Sequence, residues 1–390
     1  MDLASALDEL PKAHAAVLRL HRAGTNAAGI AAELGIEVEA VAPLLRVAEA
    51  KLARLLAAPD PSGSWDARAH DLNIDPAVEI FSKGRPIMTK QVFGGVAVHT
   101  FPLPPAGFDP LAASAEQLRR HGFPRRPDHT EMPDAATKWV RAFSRYPAFE
   151  HIAPEFKGLE RRSGPNHRTE KDTRAEVNAT SSNWSGSVLF IGAGDQFNWI
   201  TGAWNVPHTY QSPATSATEY SSAWLGIDGD GSDDVMQAGT ETDSDGNCYA
   251  WFEWFPNYSI AIDNFPVIPG DVVNLVLCAT STTTAWVSIG NLTSMQYTSF
   301  SFSAPNGTAL VGNCAEAVVE RPSVGGQLAE LPRYGEVFFD DVTAYTANGL
   351  SCPIGIGTPI SMVADDNSTV ISTPTFEADT DSIKVAYTGP

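Results

Sequence analysis

The apolar positions of this chain change character along its length. Up to residue 57 they recur three and four apart: Ala16, Val17 and Leu20, then Ile30, Ala31 and Leu34, then Val38, Val41, Leu44, Leu45, Ala48 and Leu52. That is the spacing of one helix face. Ala23-Gly24-Thr25-Asn26 breaks the first run and offers an N-cap, and Gly35 offers a tight turn. A small all-α unit of helix-turn-helix type is predicted for residues 1–57. From residue 182 the helical spacing disappears. Val188-Leu189-Phe190-Ile191, the runs 201–206, 272–277 and 336–339, and a last run at 383–387 are β-type, split by Gly, Asn, Asp and Pro turns. Many short strands at turn-to-turn spacing predict a mainly β domain, an antiparallel two-sheet sandwich, over residues 182–390. Residues 58–181 between them read as an irregular connector. They hold a linker at 59–64, a hairpin at 92–101, a proline-rich turn at 102–110 and a helix at 112–121. Residues 163–181, polar throughout, read as exposed and cleavable.

Composition sharpens this picture. A chain of 390 residues with 43% hydrophobic and 18% charged residues is globular and long for one core. Of its 46 acidic residues, 23 lie in residues 182–390, against only Arg321, Arg333 and Lys384. Residues 1–181 therefore carry no net charge, and the formal charge of −20 belongs to the β domain. This disfavours nucleic acid as a partner. It also suits work in acid, because few ion pairs are lost when carboxylates protonate. The helical unit opens its would-be recognition helix with Glu37-Val38-Glu39 and carries Pro43, so a packing or interaction role fits it better than DNA reading. Residues 116–176 hold 13 Lys and Arg against 10 acids, with His121, His129, His151 and His167. Such a segment before an acidic domain is either a propeptide held electrostatically or a solvated linker.

Cys248, Cys278, Cys314 and Cys352 all fall in the β domain. An even count there predicts disulfides in an oxidising compartment, with four buried thiols as the alternative. No Cys-x-x-Cys pair suggests zinc. No signal peptide opens the chain, so its N-terminus points inside the cell while its cysteines point outside, and the compartment stays open. No apolar run is long enough for a membrane span.

Five segments carry the candidate chemistry: Ser182-Asn183-Trp184-Ser185-Gly186, residues 222–229, Val235-Met236-Gln237-Ala238-Gly239, residues 250–256, and residues 315–322. Strand alternation places Trp251, Glu253 and Phe255 on one face, and Phe252 and Trp254 on the other. Glu316, Val318 and Glu320 likewise share a face. Read alone, a carboxylate among aromatics is a half-buried wall or a ligand cleft, and Gln237 is a strand residue satisfying a backbone group. No Ser/His/Asp set, metal-ligand cluster or cofactor loop competes with these segments, and neither metal nor cofactor is expected.

In this order the segments resemble the glutamic peptidases, or eqolisins, acid-acting endopeptidases with a Gln–Glu dyad. The resemblance implies two packed, curved sheets of the concanavalin-like kind and polypeptide substrates. It places catalysis on Gln237 and Glu320, with Glu316 as the neighbouring acid. Glu320 would act as base on water and then as acid on the amine, while Gln237 would orient the water and stabilise the oxyanion. Trp224, Asp228, Glu241, Trp251 and Glu253 would bind substrate and support the dyad. The chain departs from the family pattern at Glu241, Tyr249, Phe252, Phe255 and Ala317, which bears on subsites more than on reaction class. Two other readings stay open: a carbohydrate-binding or glycan-hydrolysing sandwich using Glu253 and Glu320, and an inactive, peptidase-like regulatory protein.

Overall fold

The computed structural model describes residues 12–34 with scattered positions between 3 and 52, then 89–168, 179–192, 194–212 and 217–389. The chain divides into two units, residues 1–85 and 86–390. In the first, helices α1 (Lys12–Arg22) and α2 (Ala27–Leu34) bury Val17, Leu18, Ile30 and Ala31. The break before α2 is the predicted one, and Asn26 Oδ1 accepts from the Gly29 amide at 2.9 Å. The tight turn at Gly35, Pro43 and the linker at 59–64 lie outside the described residues.

The second unit begins with β1 (Thr89–Phe93) and β2 (Val96–Thr100), then helices α3 (Ala115–Arg120) and α4 (Pro133–Phe143). Short strands β3 (Glu150–His151), β4 (Phe156–Gly158), β5 (Arg161–Arg162) and β6 (Ala179–Ser181) follow. The long strands start with β7 (Trp184–Phe190), β8 (Phe197–Asn205), β9 (Tyr220–Ile227), β10 (Met236–Asp243), β11 (Cys248–Trp254) and the short β12 (Ile260–Ile262). Next come β13 (Val272–Ser281), β14 (Thr284–Asn291), β15 (Gln296–Ser303), β16 (Cys314–Glu320), β17 (Ser323–Val324) and β18 (Gln327–Leu328). The domain closes with β19 (Glu336–Thr346), β20 (Ser351–Pro353), β21 (Thr358–Val363), β22 (Val370–Phe376) and β23 (Ile383–Tyr387).

Strand pairing makes one layer in the order β12-β11-β10-β9-β16-β7-β21 and a second in the order β23-β19-β8-β13-β14-β15-β2-β1, joined through β22. Between them lies the main core, where Leu225, Ala238, Phe252 and Val319 of the first layer meet Trp204, Leu275, Val287 and Phe300 of the second. This is the predicted antiparallel sandwich. Its alternation is the expected one: Phe252 and Trp254 enter the core, while Trp251, Phe255 and Val318 join a separate cluster on the outer face of the first layer.

The segment before residue 182 is integral to this architecture. β2 extends the second layer beside β15, and β4 pairs with β12 at the edge of the first. Leu118, Phe123, Trp139, Phe143 and Tyr146 cover the outer face of the second layer, against Val276, Cys278, Trp286 and Tyr297. α3 is shorter than the predicted helix because Ser114 caps it: the Ser114 and Gln117 side chains and backbones bond reciprocally as a capping box. α4, which the sequence reading omitted, starts at Pro133 and sends Trp139 and Phe143 into that cover.

All four cysteines are free thiols, in contrast to the expected disulfides. Strand parity separates them. Cys278 faces the aromatic cover, Cys314 the outer cluster of the first layer, and Cys248 and Cys352 border the main core.

Candidate active site

The outer face of the first layer collects the polar residues singled out in the sequence. Gln237 and Glu241 alternate along β10, pairing with Glu253 and Tyr249 of β11. Gln237 also pairs with Gly226 of β9, whose neighbour across β16 is Glu316. Glu320, at the end of β16, lies opposite Trp184 of β7 and Ser222 of β9. Glycines create the room. A Cβ on Gly226 would sit 2.7 Å from Glu316 Oε1 and 2.6 Å from the Trp224 ring, and one on Gly239 would sit 2.4 Å from Trp224 Cβ.

Glu320 is 1% exposed and held on both oxygens. Oε2 accepts from Trp224 Nε1 at 2.8 Å, and Oε1 accepts from Asn183 Nδ2 at 3.3 Å and from the Gly164 amide at 3.0 Å. The Trp224 ring is fixed edge-on against Trp184, with centroids 5.1 Å apart, an arrangement worth about 0.5–1.5 kcal/mol beyond area burial. Burial raises the Glu320 carboxyl to about 8, against the opposing pull of the amide, indole, Ser163 and Asn183 hydrogen bonds.

Gln237 is fully buried; its Nε2 donates to the carbonyl of Ser163, and its Oε1 has no hydrogen-bond partner among the described residues. Glu253 accepts from the Ser163 amide at 3.0 Å and from the Ser259 hydroxyl. Its carboxyl lies well above the usual range, through burial first and, to a lesser degree, the charge of the nearby Glu320. Gln237, Glu320 and Glu253 thus converge on one dipeptide, Ser163-Gly164, from the segment preceding the strands. The sequence read that segment as exposed, yet Ser163 is 1% exposed.

The other candidates divide by role. Trp224 orients Glu320. Trp251 lies buried in the same outer cluster, opposite Gly239. Glu241 is buried beneath the segment; it pairs with Arg161 and accepts from the Tyr249 and Ser222 hydroxyls. Burial raises its carboxyl, and the guanidinium opposes that rise. Asp228 serves elsewhere, because its two oxygens accept from the amides of Val311, Gly312 and Asn313 at 2.7–3.0 Å. It anchors the loop entering β16 and sits at φ 74°, in the left-handed region. Glu316 is wholly buried beside the Cys314 thiol, and burial raises its carboxyl well above the usual range. Asn183 and Ser259 had no role in the sequence reading, although Asn183 sits inside the first quoted segment and that position was the available signal.

The peptidase A4 family profile matches residues 182–387, just over half of the chain. The chain belongs to that family, the glutamic peptidases, and is a peptidase, a hydrolase. It is similar to Aspergillopepsin-2 of Aspergillus niger, with 28% identity over 227 residues covering 53% of this chain and 78% of that protein. It is also similar to Scytalidopepsin B of Scytalidium lignicola, with 31% identity over 151 residues covering 38% of this chain and 55% of that protein. Among solved structures, scytalido-glutamic peptidase with a transition state analog inhibitor aligns at a TM-score of 0.47 and 24% identity, over 53% of this chain and 98% of that one. Aspergilloglutamic peptidase from Aspergillus niger aligns at 0.40 and 27%, over 43% and 99%. Among the described residues no helix is long and apolar enough to cross a membrane, and no cluster of His, Cys, Asp and Glu is set to hold a metal.

Proposed function

We propose that this chain is an acid-acting endopeptidase with Gln237 and Glu320 as its catalytic dyad. One observation carries the reading: the two side chains bracket a single peptide unit. Gln237 Nε2 donates to its carbonyl oxygen, and Glu320 Oε1 accepts from its N–H at 3.0 Å. These are the two atoms on which amide hydrolysis develops charge. The oxygen becomes an oxyanion, and the nitrogen becomes an amine that must take a proton. The same contact favours peptide over glycan as substrate, because the group seated between Gln237 and Glu320 is an amide.

In this scheme water lies between Glu320 and Gln237 Oε1, a buried acceptor that no described protein group uses. Glu320 takes one proton from the water as its oxygen attacks the carbonyl carbon, and Gln237 Nε2 holds the resulting oxyanion. The C–N bond then breaks as Glu320 passes that proton to the nitrogen. Covering the carboxyl raises its proton affinity, and opening the cleft to water removes the cause of that rise. An open Glu320 therefore returns toward the ordinary glutamate range near about 4.3, where the base form is present in acid. A bound peptide makes the same group hold the proton until the amine needs it.

The test is hydrolysis of denatured casein from acidic to neutral pH by the full chain, beside Glu320→Gln and Gln237→Ala. Loss of Glu320 abolishes turnover, and loss of the Gln237 donor lowers kcat by about 10²–10³, the range for one oxyanion donor. Full activity in Glu320→Gln would overturn the assignment.

A further inference from the structure

We infer that Asp230 is a specificity-determining residue of this peptidase, and that it takes a basic side chain of the substrate polypeptide at the fifth residue after the cut bond. The inference rests on the dyad reading above and deepens it by naming a feature of the substrate. Residues 164–168 show how the amine side of the groove holds a polypeptide. Gly164 O accepts from Trp184 Nε1 at 3.1 Å, and Pro165 O from Asn183 Nδ2 at 3.0 Å. The Asn166 amide donates to Gly229 O at 2.8 Å, the His167 amide to Asn183 Oδ1 at 2.8 Å, and His167 O accepts from the Ser182 amide at 3.0 Å. Arg168 then forms an antiparallel bridge with Ser181 of β6. All of these contacts use the main chain of the strand in the groove, so they set its register without choosing a sequence.

Choice enters through the side chains. Asn166 and Arg168, two apart on an extended strand, share a side, and both reach Asp230. Arg168 presents a fork to the carboxylate, with Nε 3.0 Å from each oxygen and Nη2 2.6 Å from Oδ2, while Asn166 Nδ2 donates to Oδ2 at 2.8 Å. The Phe190 ring centre lies 5.7 Å from the same guanidinium. The acceptor is built into the sandwich. Asp230 is 7% exposed, its amide donates to Cys314 Sγ at 3.4 Å, and its carbonyl accepts from Asn313 Nδ2 at 3.4 Å. Asp228, two residues earlier, ties the same turn to the amides of Val311, Gly312 and Asn313. A carboxylate fixed in this way is ordered before the planar guanidinium arrives.

The sandwich does not supply that cation. Residues 182–390 hold only Arg321, Arg333 and Lys384. Arg321 pairs with Asp365 and Lys384 with Glu336, while Arg333 bridges Tyr210 through its backbone. Counting from the peptide unit between Gln237 and Glu320, Arg168 is the fifth residue on the amine side. A polypeptide that takes the place of residues 164–168 removes Arg168 from Asp230. It leaves a buried carboxylate unpaired unless it brings a base to the same position, and an unpaired buried charge is strongly unfavourable.

A casein peptide that the full chain cuts at one bond is synthesised with Arg, norleucine or Glu at the fifth residue after that bond, and with Arg moved to the fourth. For each, kcat/KM is measured with the parent, Asp230→Asn and Glu320→Gln, and mass spectrometry identifies the bond cut. In the parent, the Arg peptide is expected to exceed the norleucine peptide by at least about tenfold, and the Glu peptide by more. Arg at the fourth residue gives no such gain, because it lies on the other side of the strand; this contrast needs no variant. In Asp230→Asn the ratio of Arg to norleucine falls toward one, and a ratio taken within one protein is independent of the fraction folded. Equal cutting of all the peptides by a parent that hydrolyses casein overturns this inference and leaves the peptidase reading standing. A preference for Arg that survives Asp230→Asn, or that follows Arg to the fourth residue, overturns the role of Asp230. Neither casein nor any peptide being cut, or undiminished cutting by Glu320→Gln, overturns the dyad reading as well.

Discussion

Three glutamates on one sheet face share burial but differ in what surrounds them. Glu320 receives amide, indole and carboxamide donors, Glu253 an amide and a hydroxyl, and Glu316, beside the Cys314 thiol, has no hydrogen-bond partner on either oxygen among the described residues. A carboxyl surrounded by donors can ionise in place, whereas one without them stays neutral. This separates Glu320 from Glu316, the neighbouring acid that the sequence had to weigh against it. Glu316→Gln is expected to keep casein hydrolysis within about tenfold of the parent, since a neutral amide replaces a neutral acid of the same shape. Its raised folded-state proton affinity favours the fold fully below the ordinary glutamate value and progressively less as pH rises. The substitution is therefore expected to be near neutral for stability in acid and stabilising near neutral pH. Urea unfolding at both pH values checks the sign, and a loss of activity equal to that of Glu320→Gln would reassign the base.

At the scale of elements, the site depends on how closely β9 and β10 approach. A methyl on Gly239 would meet Ala223 O at 2.3 Å and Trp224 Cα at 2.8 Å, both within paired strands that cannot yield separately. Gly239→Ala is expected to cost about 1–3 kcal/mol, the range for overpacking, and to lower kcat as Trp224 leaves Glu320. Denaturation and kinetics on one preparation test both halves, and an unchanged midpoint would mean that the strands adapt. Much at this scale was legible in the sequence. The faces of β11 and β16 followed from alternation, because period two assigns a side chain to a face without knowledge of its neighbours. α4 was legible too, through Pro133 and the helical spacing of Ala136, Trp139 and Phe143, but the sequence reading omitted it. The seat of Ser163 was not legible. A polar stretch with Gly and Pro reads as an exposed turn, and its burial is imposed by Glu253, 90 positions from Ser163, and Glu320, 156 positions from Gly164. Asp228 resembled a cleft residue until its three amide partners showed it anchoring a loop.

For the whole molecule, the balance of shifted groups sets how stability follows pH. Burial raises the carboxyls of Glu241, Glu253, Glu316, Glu320 and Asp228, and carries Asp234 up to about 6. Each favours the fold below the ordinary carboxylate range and loses that contribution as pH rises through its folded value. His99, His151 and His167 oppose them: burial lowers all three, His151 to about 4, so their contribution fades as pH falls below about 6.5. The raised carboxyls outnumber these histidines, and the melting temperature is expected to be higher in mild acid than at neutral pH. A scan of melting temperature against pH tests this, and a maximum at or above neutrality would contradict it.

The strands and aromatic cover contributed by residues 89–158 give any cut in the following segment an unusual outcome. β2 and β4 would remain hydrogen-bonded to β15 and β12, and Trp139 and Phe143 would remain beneath the sheet. The nicked domain would hold as two polypeptides sharing one interior. Its unfolding would then be a dissociation and its refolding a second-order encounter. A molecule that melts reversibly while intact would, once nicked, recover less completely the more dilute the solution in which it is cooled.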